Sequence, residues 1–566
     1  MLAFALNVRL PFGYSGLDAR THPTSLRCSA SHNLKPVPRS TTVTEVHLQI
    51  QYRVALLAVF IGLSAIVAVM RVAAEEKKPV SSWPMWGGTP ARNMVNTVEK
   101  NVPTEWDLRT KRNIKWTELL GSMSNGNPVI AGGKVFVGTN NDKPRNPRIT
   151  GDKGVLMCFR QSDGRFLWQA VHDKLPSPKE NDFAHQGIAS ACAVEGKRLF
   201  YVSNRCTLVC ADTEGFLDGQ NDGMKDEKYR SEIDADIIWE YDMIKELDVY
   251  PHFLATSSPL VVGNRVYVHT SNGPDENGLV IPAPNAPSFI AVNKESGNLA
   301  WQDNSPGDRL NDGQWSSPTY GVVNGKGQVY FPGGDGWLYA FEPLGDPTQP
   351  GKSKLIWKFD CNPPGAKSGA QSRNSASSIL STAVFHENTV FLGVGQNPDH
   401  GEGAGHLYAI DATKTGDVSE FIGPWDPVNR CKDPTKSTKN PNSALVWHFG
   451  DKNFGRTLST CAIQGDFVVA AELPGFLHCL DRKTGTPFWT HDMLAGAWGS
   501  PYIVDQKIYM GDEDGDVTIF ELSKEKNVIN EVTMDSTVFS TPVTVDGVLF
   551  IRTTTTLYAI EQKPKG

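Results

Sequence analysis

Two stretches of the sequence combine residues at spacings that could hold a metal ion. Residues 218–223 (DGQNDG) place oxygen ligands at alternate positions and glycine at the sixth, as at the start of an EF-hand calcium loop. Asp218 and Asp222 are the candidate ligands. The twelfth position is Tyr229, where such a loop needs a bidentate glutamate, so a surface turn that opens the insertion 213–237 is the alternative interpretation.

The second stretch, residues 398–406 (PDHGEGAGH), offers two imidazoles and two carboxylates within a glycine-rich segment. Asp399 and His400 are its candidate ligands. Their spacing matches no specific metal pattern, so a solvated loop is the competing interpretation.

Both stretches lie within a repetitive sequence, since the chain matches itself at offsets of about 40–90 residues. The structural units that this repeat forms must therefore position these residues. The unit reads S-x-P-x-V-x-x-G-x-V-Y-V, then a turn, then L-Y-A-x-D-x-x-T-G-x-x-x-W. Alternating apolar and polar positions with β-branched and aromatic residues predict half-buried strands, and glycine predicts tight turns between them. Eight copies can be traced, and their first halves begin at Asn127, Ser190, Ser257, Ser316, Leu380, Ser459, Gly499 and Ser540.

The third strand and its turn are the most specific part of the unit, as in 291–301 (AVNKESGNLAW) and 479–489 (CLDRKTGTPFW). A small residue, an Asx, a T/S-G turn and a tryptophan recur at fixed spacing. This pattern resembles the tryptophan-docking repeat of the pyrroloquinoline quinone (PQQ) β-propellers over about 115–560, although Ile529 replaces the tryptophan of the seventh unit.

The resemblance implies an all-β, eight-bladed β-propeller of four-stranded antiparallel blades, with seven blades as the fallback. The last unit stops after its third strand at 556–560. The segment 113–116 resembles the tryptophan strands elsewhere, so we expect it to supply the missing fourth strand and to bring both ends of the propeller into one blade.

The cysteines fit the repeat better than they fit a disulfide framework. Cys158, Cys210 and Cys479 occupy the small-residue position that holds alanine in other units, and Cys192 and Cys461 replace the first-strand proline. Cys361 and Cys431 lie in loops, where a bridge between them is an alternative to two free thiols. No C-x-x-C-H motif for covalent haem is present in the sequence.

In a propeller, the segments that enter the innermost strands surround a central funnel. Polar and aromatic residues converging on one concavity are the default binding-site hypothesis, with ordinary loop solvation as the alternative. The candidates are Asn125, Asn127, His185, Gln186, His252, Gln314, Trp315, Arg373, Asn374, Arg456 and Trp498.

Two functions follow from the resemblance. One is a PQQ- and calcium-dependent alcohol or sugar dehydrogenase, in which the cofactor would stack on a tryptophan such as Trp315 or Trp498. The sequence, however, shows no adjacent cysteine pair and no assignable metal or catalytic set. We therefore favour a scaffold that binds a protein, peptide or glycan, which leaves open whether the chain is an enzyme and whether PQQ and Ca²⁺ bind.

The distribution of charge bears on location. Residues 1–74 carry seven basic and two acidic residues, a net of +5, which leaves −12 of the total −7 for 75–566. An acidic body argues against a nucleic-acid partner. Residues 54–70 are apolar and uncharged, a length between a signal h-region and a membrane span.

The positive-inside rule places the body outside a bacterial inner membrane, in the periplasm or cell envelope, either anchored or secreted after cleavage near 74. We expect four regions. They are a basic disordered segment (1–53) that is also compatible with a mis-assigned start codon, an anchor or signal (54–74), a linker (75–112) and the propeller (113–562).

Overall fold

Each sequence repeat folds into a four-stranded antiparallel sheet, in which short turns join most neighbouring strands and longer insertions join a few. The computed structural model describes residues 81–176, 181–278, 280–368, 376–396 and 404–562. Within these ranges the sheets of four or five strands number eight, so the chain is an eight-bladed propeller and the seven-bladed alternative is excluded. The segments 1–53 and 54–74 lie outside the described residues.

The blades are numbered along the chain, with strands given from the innermost outward. Blade 1 contains Val129–Ala131, Lys134–Asn140, Lys153–Arg160 and Phe166–Asp173. Blade 2 contains Ala193–Glu195, Arg198–Val202, Thr207–Asp212 and Ile237–Asp242. Blade 3 contains Leu260–Val262, Arg265–His269, Phe289–Asn293 and Leu299–Asp303. Blade 4 contains Thr319–Val323, Lys326–Pro332, Trp337–Phe341 and Leu355–Asp360.

The second half continues the same order. Blade 5 contains Val384–His386, Thr389–Val394, Ala404–Asp411 and Leu445–Gly455. Blade 6 contains Ala462–Gln464, Phe467–Ala471, Phe476–Asp481 and Pro487–Asp492. Blade 7 contains Tyr502–Val504, Lys507–Gly511, Asp516–Glu521 and Val528–Thr533. Blade 8 contains Val543–Val545, Val548–Arg552, Thr556–Glu561 and Ile114–Leu119.

Insertions add short elements to this frame. Gly351–Lys352 extends blade 3 and Gly416–Asp417 extends blade 4, each by parallel pairing at the outer edge. The remaining elements are the helix Met243–Leu247, the 3-10 turns Gly215–Asp218 and Gly307–Arg309, and two small hairpins formed by Phe421–Ile422 with Thr438–Lys439 and by Trp425–Asp426 with Cys431–Lys432.

The two ends of the propeller meet in blade 8, as the sequence predicts. Ile114–Leu119 pairs antiparallel with Thr556–Glu561, with Trp116 opposite Ala559. The ring is therefore closed by strand pairing rather than by a covalent bond.

In blades 1, 2, 3, 5, 6 and 8 the repeated tryptophan donates a hydrogen bond to a carbonyl of the next blade. The Trp447 indole N–H donates to the Arg482 carbonyl at 2.8 Å, and the ring lies against Gly485, where a Cβ would come within 2.6 Å of it. The pattern recurs at Trp116 with Gly164 and across several other blade junctions. The T/S-G turn is therefore a docking surface for the preceding blade's tryptophan.

Side chains two residues before the innermost strands form a belt of hydrogen bonds between blades. The hydroxyl of one blade accepts from the backbone N–H of the preceding blade, as Thr541 Oγ1 does from Ser500 N at 3.0 Å. The belt positions are Asn127, Ala191, Ser258, Ser317, Thr382, Thr460, Ser500 and Thr541, and six of the eight possible links are formed. This role explains the hydroxyl residues that precede proline in the repeat.

Residues 83–99, which we call the central segment, run along the inner edges of the innermost strands. This segment lies within the stretch that the sequence suggests is a linker. Its backbone pairs with Ile130 of blade 1, Val194 of blade 2, Tyr320 of blade 4, Phe385 of blade 5 and Ile503 of blade 7. Side chains reach the other three blades: Arg92 binds blade 3 carbonyls, the Asn93 amide bonds the backbone of Ile463 in blade 6, and Asn96 binds the Thr544 carbonyl of blade 8. Edges that would otherwise be unpaired are thereby covered.

Arg92 holds the central segment in place through every nitrogen of its guanidinium. It is fully buried, and it donates to the carbonyls of Pro318, Trp86, Ser258 and Pro259 at 2.8–3.0 Å. Buried donors require such partners, so the arginine is fully satisfied without a carboxylate.

The cysteines of the described residues are all buried and free, in agreement with the packing interpretation and not with a bridge between Cys361 and Cys431. Among the same residues, no helix is both long and apolar enough to cross a bilayer.

Candidate functional site

We call the funnel face the end of the propeller at which the chain enters each innermost strand. The turns between second and third strands lie at this end too, because the strands are antiparallel. The structure places the predicted site residues that it describes in separate groups along this face.

The first group joins blades 3 and 4 and contains three predicted residues, His252, Gln314 and Trp315. The His252 and Trp315 rings are near parallel, at 19° with centroids 5.9 Å apart, and the indole N–H donates to the His252 carbonyl at 3.2 Å. Gln314 is fully buried and donates to the Asn272 carbonyl at 2.9 Å.

Both nitrogens of His252 face oxygen atoms. Nδ1 lies 2.8 Å from the Pro274 carbonyl, which can only accept, so Nδ1 carries a proton. Nε2 lies 3.2 Å from Oδ1 of Asp312, and both side chains are almost fully buried. The imidazole is therefore fixed at Nδ1, while Nε2 lies beside the Asp312 carboxylate without a hydrogen bond among the described residues. The half-buried Trp315 is held next to it through the His252 carbonyl. Sequence reasoning missed Asp312, although it lies only two residues before Gln314.

The second group lies at the entries to blades 1 and 2. Asn125 Nδ2 donates to Gln186 Oε1 at 2.5 Å, which links the two entry segments. His185 is largely exposed, has a φ of +61°, and places Nδ1 3.2 Å from Asp142. This group presents an imidazole and carboxylates to solvent.

Asn127 is committed to the belt. Its side-chain oxygen accepts from the Thr541 N–H at 2.8 Å, which links blade 8 to blade 1. The structure therefore gives this predicted binding residue a role in closing the ring.

The third group belongs to blades 7 and 8. Trp498 donates its indole N–H to Glu513 at 2.5 Å, and its ring lies 5.5 Å from that of Phe539 at 59°. Glu513 and Phe539 were not predicted from the sequence. A half-buried tryptophan beside a carboxylate is thus held in one orientation.

The other candidates are placed less informatively. Arg456 is half-buried, and its carbonyl accepts from Leu473 N at 2.9 Å. Arg373 and Asn374, together with the metal candidates Asp399 and His400, lie outside the described residues.

The calcium candidates follow a turn. Asp218 ends a 3-10 turn and accepts from Gln220 N at 2.9 Å, and Asp222 donates its backbone N–H to Asp236 at 2.7 Å. Burial raises the pKa of the Asp236 carboxyl. In the part of the chain that the structure describes, no three His, Cys, Asp or Glu residues form a group that could hold a metal ion.

PQQ with Ca²⁺ requires an aromatic face for stacking and carboxylate oxygens that converge on the metal. At Trp315, the ring is near parallel to His252, and the adjacent carboxylate of Asp312 faces the imidazole. At Trp498, the adjacent carboxylate of Glu513 is bonded to the indole itself. The residues described at these two tryptophans therefore do not fit the cofactor and its metal.

A cavity of about 370 Å³ opens between the outer strands of blades 1 and 2, beneath the insertion that follows Thr213. Gln169 lines the cavity and is almost fully buried. Neither Nε2 nor Oε1 of its side chain has a hydrogen-bond partner among the described residues. Acidic residues outnumber basic ones around it. Sequence reasoning could not find this cavity, because the insertion interrupts the repeat.

Comparison with known proteins agrees with the fold. A family model described as outer membrane protein assembly factor BamB matches residues 234–349 and 436–527. Over these two ranges the chain is therefore similar to the PQQ-like β-propeller repeat family. No curated protein sequence matches it.

Among solved structures, BamB from Moraxella catarrhalis is 12% identical, with a TM-score of 0.46, and the alignment covers 80% of this chain and 97% of that one. The quinohemoprotein alcohol dehydrogenase from Comamonas testosteroni is 11% identical, with a TM-score of 0.42 and coverages of 86% and 81%. A europium-containing methanol dehydrogenase is 12% identical, with a TM-score of 0.42 and coverages of 84% and 90%.

Proposed function

We propose that this chain is a binding scaffold of the cell envelope that holds an extended basic segment of a partner protein on its funnel face. The observation that carries the proposal is the presence there of two tryptophans with fixed orientation. Trp315 is held by His252, and Trp498 is held by Glu513.

Fixed aromatic side chains suit recognition, because they provide contact area without losing much conformational entropy on binding. Trp315 enters blade 4 and Trp498 enters blade 7, so the two rings lie three blades apart around the funnel. That arrangement favours a ligand long enough to reach more than one site, such as an extended peptide.

Charge favours a basic ligand. The part of the chain from residue 75 onward carries a net charge of −12. Glu513 and Asp142 supply carboxylates next to Trp498 and His185. A lysine or arginine side chain can contact a tryptophan face and a nearby carboxylate together, and such cation–π contacts contribute about 0.5–2 kcal/mol each.

The central segment explains why the funnel face is the favoured side. It covers the inner edges of the blades, so those edges are not free to pair with a ligand strand. The loops of the funnel face remain, and binding residues are commonly carried on loops that a rigid scaffold positions.

Export to the envelope is part of the proposal. Its support is the apolar stretch 54–70, the basic segment before it and the acidic body after it. The matching family model, whose description names an outer membrane protein assembly factor, is consistent with it.

The test measures fluorescence anisotropy of labelled twelve-residue peptides that are basic, neutral or acidic, with the full-length chain. We expect saturable binding of the basic set, weaker at high salt, with losses of about three- to tenfold in Trp315→Ala and in Trp498→Ala. Phe488→Ala is the matched control, because this half-buried aromatic residue begins an outer strand at the opposite end of blade 6.

Failure of all peptide sets to bind would refute the proposal, as would binding that neither tryptophan variant affects. Two further arms address the alternatives. A glycan panel tests a carbohydrate ligand. Reconstitution with PQQ and Ca²⁺, followed by absorbance and by dye reduction with alcohols and sugars, tests the dehydrogenase, and stoichiometric binding with turnover would replace the scaffold proposal.

A further inference from the structure

Arg552, the last residue of the second strand of blade 8, carries a buried guanidinium with too few partners. The residue has no exposed surface. Its Nη1 donates to the carbonyl of Ser124, at the entry to blade 1. Its Nε and Nη2 are buried and have no hydrogen-bond partner among the described residues.

Arg92 shows how this fold satisfies a buried arginine when no ligand is needed. It is equally buried, yet Nε, Nη1 and Nη2 all donate to backbone carbonyls. The same fold therefore provides an acceptor for every nitrogen of the Arg92 guanidinium, whereas Nε and Nη2 of Arg552 have none among the described residues.

The two free nitrogens of Arg552 lie on one edge of the guanidinium. Nε–H and the nearer Nη2–H point in parallel. Arg160 uses the same edge of its guanidinium to bind both oxygens of Asp163. This edge suits a carboxylate, another small oxyanion or a halide. At Arg552 no protein acceptor occupies it in the described part of the chain.

The propeller itself does not require a cation at this position. The residues that end the second strands of blades 1 to 7 are Asn140, Val202, His269, Pro332, Val394, Ala471 and Gly511. His269 is the titratable residue among them, and burial lowers its pKa to about 4, so it is neutral at pH 7. A buried arginine at the end of the second strand is thus specific to blade 8.

Burial also lowers the pKa of Arg552, to about 9, which leaves the guanidinium charged at neutral pH. Burying a charge without a counter-charge is strongly unfavourable. A water molecule could accept hydrogen bonds from Nε and Nη2 but could not neutralise the charge, whereas an anion does both.

We propose that Arg552 binds a small monovalent anion, of the size of chloride or formate, through Nε and Nη2 at the junction of blades 8 and 1. Full burial limits the ligand to this size, so the site is distinct from the peptide surface at Trp315 and Trp498. Because Nη1 is bonded to blade 1, the anion would strengthen the junction where the ring closes.

The test compares thermal unfolding of the full chain in sodium chloride with that in sodium gluconate, at constant sodium concentration. Gluconate is too large for a buried site. We expect the melting temperature to rise saturably as chloride replaces gluconate, and formate to act similarly. Arg552→Met should lose the dependence, and Arg552→Lys, which keeps the charge without the paired donors, should raise the half-saturating concentration about tenfold. Arg165→Met, which removes an exposed arginine, should keep the native response.

A melting temperature of the native chain that is insensitive to chloride would overturn the proposal. So would the same chloride dependence in Arg552→Met as in the native chain. Crystals of the native chain grown in sodium bromide give a measurement that does not depend on the folding of a variant. An anomalous bromide peak beside Nε and Nη2 supports the site, and its absence refutes it.

Discussion

The amide oxygen of Asn127 accepts a hydrogen bond from the backbone N–H of Thr541 at 2.8 Å, although the two residues are 414 positions apart. This bond is the belt link between blade 8 and blade 1. At the outer edge of blade 8, Ile114–Leu119 pairs with Thr556–Glu561, the strand contact that closes the same blade. The ring is thus closed twice by non-covalent contacts.

Asn127→Ala should lower the free energy of unfolding by about 1–3 kcal/mol, because the Thr541 N–H is left without its buried acceptor. Urea unfolding followed by tryptophan fluorescence measures the change. Asn429→Ala is the control, since Asn429 lies on an exposed turn where its side chain binds only Asp426. Equal effects of the two substitutions would show that the belt link contributes nothing specific.

Arg92→Met should destabilise the chain, whereas Arg552→Met should not. Removing Arg92 leaves four carbonyls without their donor and should cost about 3–5 kcal/mol. Removing Arg552 in gluconate eliminates an unpaired buried charge and should be neutral or stabilising. Chemical denaturation of both variants in gluconate measures the difference, and a similar loss in both would contradict it.

His269 should make stability depend on pH on the acid side. Burial holds its pKa at about 4, whereas the imidazole of an unfolded chain titrates near 6.5. Between these values only the unfolded chain takes up the proton. The contribution of the neutral His269 to the free energy of unfolding is therefore complete above pH 6.5. It is lost as the pH falls toward 4, at about 1.4 kcal/mol per pH unit at most.

The measurement is the urea midpoint of the native chain and of His269→Gln at pH 7, 6 and 5. The variant should show the shallower dependence. His185→Gln, which alters an exposed imidazole, should retain the native slope. A native slope in His269→Gln would show that this histidine is not the group that titrates.

The eight cysteines after residue 157 should be unreactive in the native chain. Each is buried, and burial raises the pKa of each thiol, to about 12 for Cys461 and Cys479. Because the thiolate is the reactive form, a thiol reagent at pH 8 should label these residues only after denaturation. Mass spectrometry of digests locates the labels, and native labelling of Cys431, or its recovery in a disulfide with Cys361, would contradict the packing.

Periodicity made the blades predictable. The strand pattern recurs in eight copies, and the T/S-G turn with its tryptophan indicates the docking of Trp447 on Gly485. The central segment could not be found in this way. It pairs through its backbone with strand edges, so its side chains follow no period, and nothing in the sequence distinguishes Arg92 from a surface arginine.

The site was predictable only in part, because polarity near a funnel does not show which partner a side chain has. His252 and Trp315, both selected from the sequence, lie side by side, but Asp312, whose carboxylate lies 3.2 Å from the imidazole, was not selected. Asn127 was selected for its amide, whereas the hydroxyls of Ser500 and Thr541 at equivalent positions already indicate a belt. The partners of Arg552 depend on where blades 1 and 8 meet, and the repeat pattern does not encode that.

The central segment also sets an order of events during synthesis. Residues 83–99 leave the ribosome before any blade exists, yet their contacts extend to the Thr544 carbonyl and to Gly547 N near the end of the chain. Contacts between distant parts of a chain form slowly. The earliest translated part of the propeller therefore completes its contacts last, after all eight blades have formed.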